Sequence, residues 1–174
     1  VRVYSRYTKQ KMEDINMTTY KVNTIGRICN NESGAIIQLE PEYIPALTAL
    51  DGFSHLNVLW WFSDFDTQEA RSVLEAPKPY KQAPETMGIF ATRSPVRPNP
   101  IALTTVEIID IDYENGRIHI AYIDANDGSP LLDLKPYTPS LDRVERPEVP
   151  GWCGHWPKSL EESADFAWEN EFNF

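Results

Sequence analysis

Cysteine is scarce in this chain. Its 174 residues hold two, Cys29 and Cys153, and no CxxC pair. That excludes a disulfide scaffold and argues against a structural zinc site. Two reduced thiols in a cytoplasmic protein are the expectation. Long apolar runs are also missing. The longest, "LNVLWWF" from Leu56 to Phe62, has the length of a strand and falls far short of the roughly 20 residues that span a bilayer. No membrane association is expected. The first residues are polar and basic with no apolar stretch, so no secretory signal is expected either. Positive charge is in short supply. There are 16 Lys and Arg against 26 Asp and Glu, a net charge of −10. A nucleic-acid binder usually shows a basic excess or stripe. Any RNA contact must therefore rest on a local patch, for which Arg93, Arg97, Lys78, Lys81 and Lys135 are the candidates. No GxGxxG follows a strand, and there is no P-loop and no GxSxG. A dinucleotide fold, a phosphate cradle and a serine hydrolase are thereby unsupported. Cys153 and His155 are close in sequence but sit in a Trp-rich turn, so covalent catalysis has no convincing nucleophile.

Proline, by contrast, is abundant: 14 residues against 8 glycines. The length favours one domain with appendages, able to bury about two thirds of its unfolded surface. Apolar runs are short and turn residues recur between them. "YKVNTIGRIC" from Tyr20 and "GAIIQLEP" from Gly34 read as strands around a polar "NNES" turn. "PEYIPALTAL" has helical apolar spacing, opened by Pro41 and stopped near Gly52. "HLNVLWWFSDF" is a strongly β-prone strand. Thr67–Ala76 reads as a short helix and "GIFATR" as the start of a strand. "IALTTVEIIDID" is a long strand that "ENG" turns into "RIHIAYIDA", a hairpin. "DGSPLLDLKPY" follows as a loop and a short strand. Ser159–Phe174 shows helical spacing of Leu160, Phe166 and Trp168 with acids between. Six or seven strands without regular intervening helices make a mainly β unit, a barrel or a sandwich.

Three stretches carry chemistry. In "FATRSPVRPNP", prolines 95, 98 and 100 fix φ and bias their predecessors towards extended geometry. The stiff backbone projects Arg93 and Arg97, with Asn99 held between two prolines. Arginine suits carboxylates, phosphates and stacked rings; a Pro-rich loop with salt-bridged arginines accounts for the same residues. In "DGFSHLNVLWWFSDFD", His55 opens the strand and Ser63 and Asp64 close it. His55 reads either as a polar group presented to a pocket or as a hydrogen-bonded histidine that fixes a turn. In "DANDGSPLLDLKPY", Asp124, Asp127 and Asp133 surround a Gly-Ser-Pro turn. The glutamate of a calcium loop is missing, which leaves an aspartate-stabilised turn or a ligand site, and no metal is expected.

Taken together, "GIFATRSPVRPNPIALT", "LDGFSHLNVLWWF" and "DGSPLLDLKPY" resemble the three signature segments of the TsaA-like (YaeB, TrmO) family, in the same order and spacing, from about Tyr20 to Tyr137. The resemblance implies a small single β-barrel with a few short helices, spanning residues 19–145. It would be preceded by a flexible extension, 1–18, and followed by an acidic tail, 146–174, packed on the barrel or on a partner. It implies a homodimer that uses S-adenosylmethionine to methylate N6 of a threonylcarbamoylated adenosine beside the anticodon of tRNA. Arg93 would contact the cofactor, as would Ser63 and Asp64, where better-known members carry a His-Gln pair, and the backbone around Thr105. The segment Asp124 to Ser129 would close the site, with Asp124, Asp127, Gly128 and Ser129 contacting the cofactor. Acids suit the cofactor's amine, ribose hydroxyls and positive sulfur, and Arg93 suits its carboxylate. Methyl transfer is an in-line displacement that needs alignment more than a nucleophile. Asp127 is the candidate proton acceptor, and Arg97, Asn99 and Lys135 are candidate substrate contacts. Two other readings remain open: the same chemistry on a small molecule, and a non-catalytic module that binds S-adenosylmethionine.

Overall fold

The computed structural model describes residues 18–32 and 34–174. The expected flexible extension over 1–18 lies outside the described residues, apart from Thr18. The described residues form eight strands: β1 (Gly26–Asn31), β2 (Gly34–Leu39), β3 (His55–Trp61), β4 (Glu75–Pro77), β5 (Thr86–Gly88), β6 (Ile101–Asp112), β7 (Arg117–Ile120) and β8 (Pro130–Pro136). Six of them close into an antiparallel barrel in the order β1-β2-β7-β6-β3-β8, and β4 pairs with β5 as a separate ribbon. Closure comes from Gly26 opposite Leu131 and Arg27 opposite Pro130. Among the described residues, three short α-helices, α1 (Gln68–Arg71), α2 (Pro139–Asp142) and α3 (Leu160–Ala164), lie in the connections and the tail. The expectation of a mainly β single barrel holds.

Alternation along each strand builds the core, because successive side chains point to opposite faces. Ile28, Ile37, Leu56, Val58, Val106, Ile118 and Leu131 all point inward and are buried. With Trp60, Ala102 and Ile120 they fill a barrel too narrow to hold a lumen. Gly26 is required where β1 meets β2: a Cβ there would lie 2.2 Å from the Gln38 carbonyl oxygen. The register between β3 and β8 slips between Leu59 and Trp60. Such an irregularity bends a strand and re-aims side chains, here just before the turn that walls the functional site.

Four local expectations are corrected. The first strand starts at Gly26, not Tyr20; Tyr20 and Val22 are exposed with no strand beside them. Pro41–Leu47 is a 3-10 helix rather than an α-helix. Pro45 has no N–H to give the Pro41 carbonyl, so the i→i−4 ladder cannot form. "GIFATR" is mostly not a strand. After β5, Ile89–Ala91 make a 3-10 turn, closed by the Thr92 N–H and hydroxyl, both donating to the Ile89 carbonyl. The tail is not one long helix. Ser159 caps α3 by accepting from the Glu162 N–H, but the helix ends at Ala164 and a 3-10 turn follows at Trp168–Asn170. Its apolar residues are aromatic, and they gather around a ring from another segment: Tyr80 lies against Trp152, Trp156 and Phe172.

Candidate functional site

One end of the barrel carries a cavity of about 340 Å³. Its walls come from three places far apart in sequence. The end of β3 and the 3-10 turn after it supply Trp60, Phe62, Ser63, Asp64 and Phe65. The Pro-rich segment supplies Arg93 and Pro95, and the β7–β8 connection supplies Asp124, Asn126, Asp127, Gly128 and Ser129. Seven of the expected site residues thus meet in one place: Ser63, Asp64, Arg93, Asp124, Asp127, Gly128 and Ser129.

The β7–β8 loop is pinned by Asn30 at the end of β1. The Asn30 amide Nδ2 donates to the carbonyls of Ile123 at 3.0 Å and Ala125 at 2.8 Å, and its backbone N–H donates to Asp127 Oδ1 at 2.9 Å. Gly128, at φ +81°, turns the chain so that its N–H reaches the Ile28 carbonyl at 2.8 Å. Opposite, Asn126 Nδ2 donates to Asp64 Oδ2 at 2.7 Å. Below, the buried Trp60 donates through Nε1 to Thr104 Oγ1 at 3.1 Å, and the Thr104 hydroxyl donates to Asp124 Oδ1 at 3.2 Å. Trp60 and Phe62 meet edge to face with centroids 4.5 Å apart, giving an aromatic wall beside the carboxylates. The cavity therefore combines three carboxylates, one guanidinium and an apolar side. Such a set suits a ligand with cationic, hydroxyl and aromatic parts.

The remaining expected residues lie elsewhere. The Thr105 hydroxyl donates to Asn57 Oδ1 at 2.8 Å, on the strand pair β3–β6. Arg97 turns back into its own segment and donates to the carbonyls of Thr92 at 2.8 Å and Ile89 at 3.4 Å. Asn99 is exposed, and its carbonyl accepts from the Ile101 N–H at 2.7 Å. Lys135 forms an ion pair with Asp133 at 2.7 Å, and Lys78 one with Glu85 at 2.8 Å. His55 starts β3, at the end away from the cavity, with Nδ1 2.9 Å from Ser54 Oγ. Among the described residues, no group of three or more His, Cys, Asp or Glu is placed to hold a metal ion. No described helix is long and apolar enough to cross a membrane. Asn30, Thr104 and Phe62 are the site residues that sequence reasoning missed, along with the bonds that Asn126, inside the expected Asp124–Ser129 segment, makes there. Asparagine in "NNES" and "DAND" reads simply as turn, and nothing local announces a bond that crosses the barrel mouth.

Known proteins resemble this chain in sequence and in fold. A family model described as the tRNA-methyltransferase O N-terminal domain matches residues 18–143. An S-adenosyl-L-methionine-binding protein of Archaeoglobus fulgidus is 38% identical over 112 residues, covering 64% of this chain and 75% of that protein. A tRNA (adenine(37)-N6)-methyltransferase of Eikenella corrodens is 40% identical over 88 residues, covering 50% of this chain and 47% of that one. The crystal structure of TrmO from Pseudomonas aeruginosa superposes with a TM-score of 0.56 at 28% identity, covering 75% of this chain. The chain spans 62% of the length of that solved protein.

Proposed function

The chain belongs to the tRNA-methyltransferase O N-terminal domain family, and from that premise we propose that it is an S-adenosylmethionine-dependent methyltransferase acting on N6 of a tRNA adenine. The observation that carries the reading is the cavity in which Asp64, Arg93, Asp124 and Asp127 converge beside Trp60 and Phe62. The donor set fits the cofactor: a guanidinium for its carboxylate, carboxylates for its ammonium and ribose hydroxyls, and ring faces for its adenine. The relatives described as S-adenosyl-L-methionine-binding proteins support the same cofactor, and the Eikenella enzyme supports the reaction.

When bound, S-adenosylmethionine supplies an electrophilic methyl group. The protein's share is alignment and charge. Arg93 offers the cationic contact; its Nη2 also donates to the Leu103 carbonyl at 3.3 Å, a long bond that leaves the guanidinium open to a ligand. Asp64 and Asp124 are each held by a neighbour, Asn126 and Thr104, so their remaining acceptor positions are preset. Preset acceptors reduce the ordering cost of binding. Asp127, oriented by the Asn30 N–H, takes the proton that the exocyclic amine loses. Ser63, Gly128 and Ser129 shape the rim, and Thr105 acts through its strand. Arg97, Asn99 and Lys135, outside the cavity, remain the contacts for the larger substrate. The substrate base is the threonylcarbamoylated adenosine beside the anticodon.

The working unit is a homodimer in the cytoplasm, where tRNA is found. Support for the dimer comes from β6, whose outer face leaves Ile101 and Leu103 37% and 48% exposed, and from Phe90, 83% exposed beside it in the Pro-rich segment. In this reading residues 19–145 are the catalytic barrel and 146–174 a tail that packs on it. A second reading, methylation of a small molecule, draws on the net charge of −10 and on the pairing of Lys78 and Lys135 with acids. Exposed pairs of this kind are weak enough to trade partners for phosphates.

The test is calorimetric titration with S-adenosylmethionine of the wild type and Arg93→Ala, followed by methyl transfer from labelled cofactor to unfractionated tRNA. Micromolar binding lost in the variant, with label incorporated into tRNA, is the expected result. Binding without incorporation would move the substrate to a small molecule or leave a binding module. Absence of binding in the wild type would remove the methyltransferase reading.

A further inference from the structure

We infer that Arg71, outside the cavity lining, is a positioning residue that ties two walls of the cavity together. One wall is the turn after β3 with Ser63, Asp64 and Phe65; the other is the Pro-rich segment with Arg93 and Pro95. The inference rests on the cofactor reading for its consequence, but its geometry is independent of it. Pro95, Pro98 and Pro100 have no N–H, so at these positions the segment can be tethered only through carbonyls. Two donors from the first wall's side take two of them. The Phe62 N–H donates to the Pro100 carbonyl at 2.9 Å, and Arg71 Nη1 donates to the Pro98 carbonyl at 3.1 Å. The residue before Pro98 is Arg97, whose Nη2 donates to the Thr92 carbonyl at 2.8 Å, in the peptide group that leads into Arg93. Holding Pro98 therefore steadies the brace behind Arg93.

The other side of the same guanidinium holds the first wall. Arg71 Nε donates to Asp66 Oδ1, and Asp66 Oδ2 accepts from Trp61 Nε1 at 3.0 Å. The Asp66 N–H donates to the Ser63 carbonyl at 3.2 Å and so closes the 3-10 turn that carries Ser63 and Asp64. The guanidinium carbon lies 5.4 Å from the centroid of the Trp61 ring, within reach of a cation–π contact. α1 delivers the group to this place: Thr67 caps the helix by accepting from the Ala70 N–H at 3.2 Å, and Arg71 is its last residue. One planar fork thus meets a carboxylate, a carbonyl and a ring at once. As an ion pair it would contribute little, because the Arg71 and Asp66 side chains are 37% and 35% exposed. Its value is geometric. Arginine has several N–H groups at fixed angles, whereas a lysine ammonium is a compact point charge that lacks this reach. The walls it joins come from opposite ends of a long excursion, residues 62 to 100, between two paired strands, β3 and β6.

The test uses Arg71→Lys, which keeps the charge and loses the fork, and Asp66→Asn, which frees the fork from the first wall's carboxylate. The first readout is NMR hydrogen exchange in the cofactor-free protein at the Ser94 and Val96 amides, which bond to Thr92 Oγ1 and Ser94 Oγ within the Pro-rich segment. Both variants are expected to speed exchange about fivefold, the scale of one lost hydrogen bond. The second readout compares the Kd of S-adenosylmethionine with that of 5′-methylthioadenosine, which lacks the carboxylate that Arg93 suits. Arg71→Lys should weaken S-adenosylmethionine about fivefold and methylthioadenosine by less than about twofold, since the loss runs through Arg93. A merely structural role would weaken both ligands alike, and that result would overturn the inference. So would wild-type exchange rates at Ser94 and Val96 in both variants, or an Arg71→Lys protein that binds S-adenosylmethionine as the wild type does. If the wild type takes up neither ligand while the exchange rates still respond to Arg71, the cofactor reading falls and the tether between the walls stands.

Discussion

Asn126 Nδ2 donates to Asp64 Oδ2 at 2.7 Å, joining residues 62 positions apart across the mouth of the cavity. The bond links the 3-10 turn after β3 to the β7–β8 loop, two walls that share no strand pairing. It fixes one carboxylate of the site without burying it, since both residues are exposed. Replacing Asn126 by Ala should leave the melting temperature nearly unchanged. It should weaken S-adenosylmethionine binding about fivefold, the scale of one ordinary hydrogen bond. Asn126→Asp should weaken binding further, because two carboxylates would then face each other. Calorimetry on the two variants checks the order.

Thr104 lies between Trp60 and Asp124. Its oxygen accepts from the Trp60 indole, and its hydroxyl proton goes to Asp124. Thr104→Val keeps the shape and removes both bonds, leaving the indole N–H of a buried tryptophan unpaired. The expected cost is about 1–3 kcal/mol of stability, read by urea unfolding. Thr104→Ser should restore most of it. A Val variant as stable as the wild type would mean that the indole finds another partner.

Two glycines should respond differently to alanine. At Gly26 the added Cβ would meet the Gln38 carbonyl at 2.2 Å, a backbone atom that cannot move without breaking the β1–β2 ladder. Gly26→Ala should cost about 3 kcal/mol or more, the upper range of overpacking. At Gly128 nothing lies within 4 Å of the new Cβ, but φ is +81°. Gly128→Ala should cost about 1–2 kcal/mol from backbone conformation alone. Denaturant midpoints of the two variants give the comparison.

The tail should respond to acid. Glu171 is held below the usual carboxylate range, chiefly by the Trp156 indole and then by His155, with Lys81 adding a favourable charge. A carboxylate with a depressed folded pKa contributes stability that is present above its unfolded value of 4.5 and lost as pH falls through the lower folded value. Tryptophan fluorescence from the tail should therefore change below about pH 4.5. Glu171→Gln should flatten that acid transition and start from a looser tail at neutral pH. A transition of the same size in Glu171→Gln would place its origin elsewhere.

Much of the barrel was legible before any coordinates. Period-2 alternation in "HLNVLWW" and in the "ENG" hairpin is a local signal, and β3, β6 and β7 form where it falls. The departures have local causes that only the folded chain reveals. Pro45 forces a 3-10 helix, the Thr92 hydroxyl turns "GIFATR" away from the sheet, and the tail's aromatics prefer Tyr80 to a continuous helix.

The candidate site divides along the same line. Sequence by itself determined the chemical inventory, with Arg93 on a stiff proline-flanked segment and Asp124 and Asp127 on a glycine turn. Those choices are written into residue types within a few positions of one another. Tertiary structure alone decided which of these groups meet. It brought Arg93 to the carboxylates and sent Arg97 back to its own carbonyls. It also made Asn30 the pin of a loop that begins 93 positions away at Ile123. The reason is physical: bonds across the barrel mouth depend on strand closure and register, and no short window of sequence specifies which distant residues that register brings face to face.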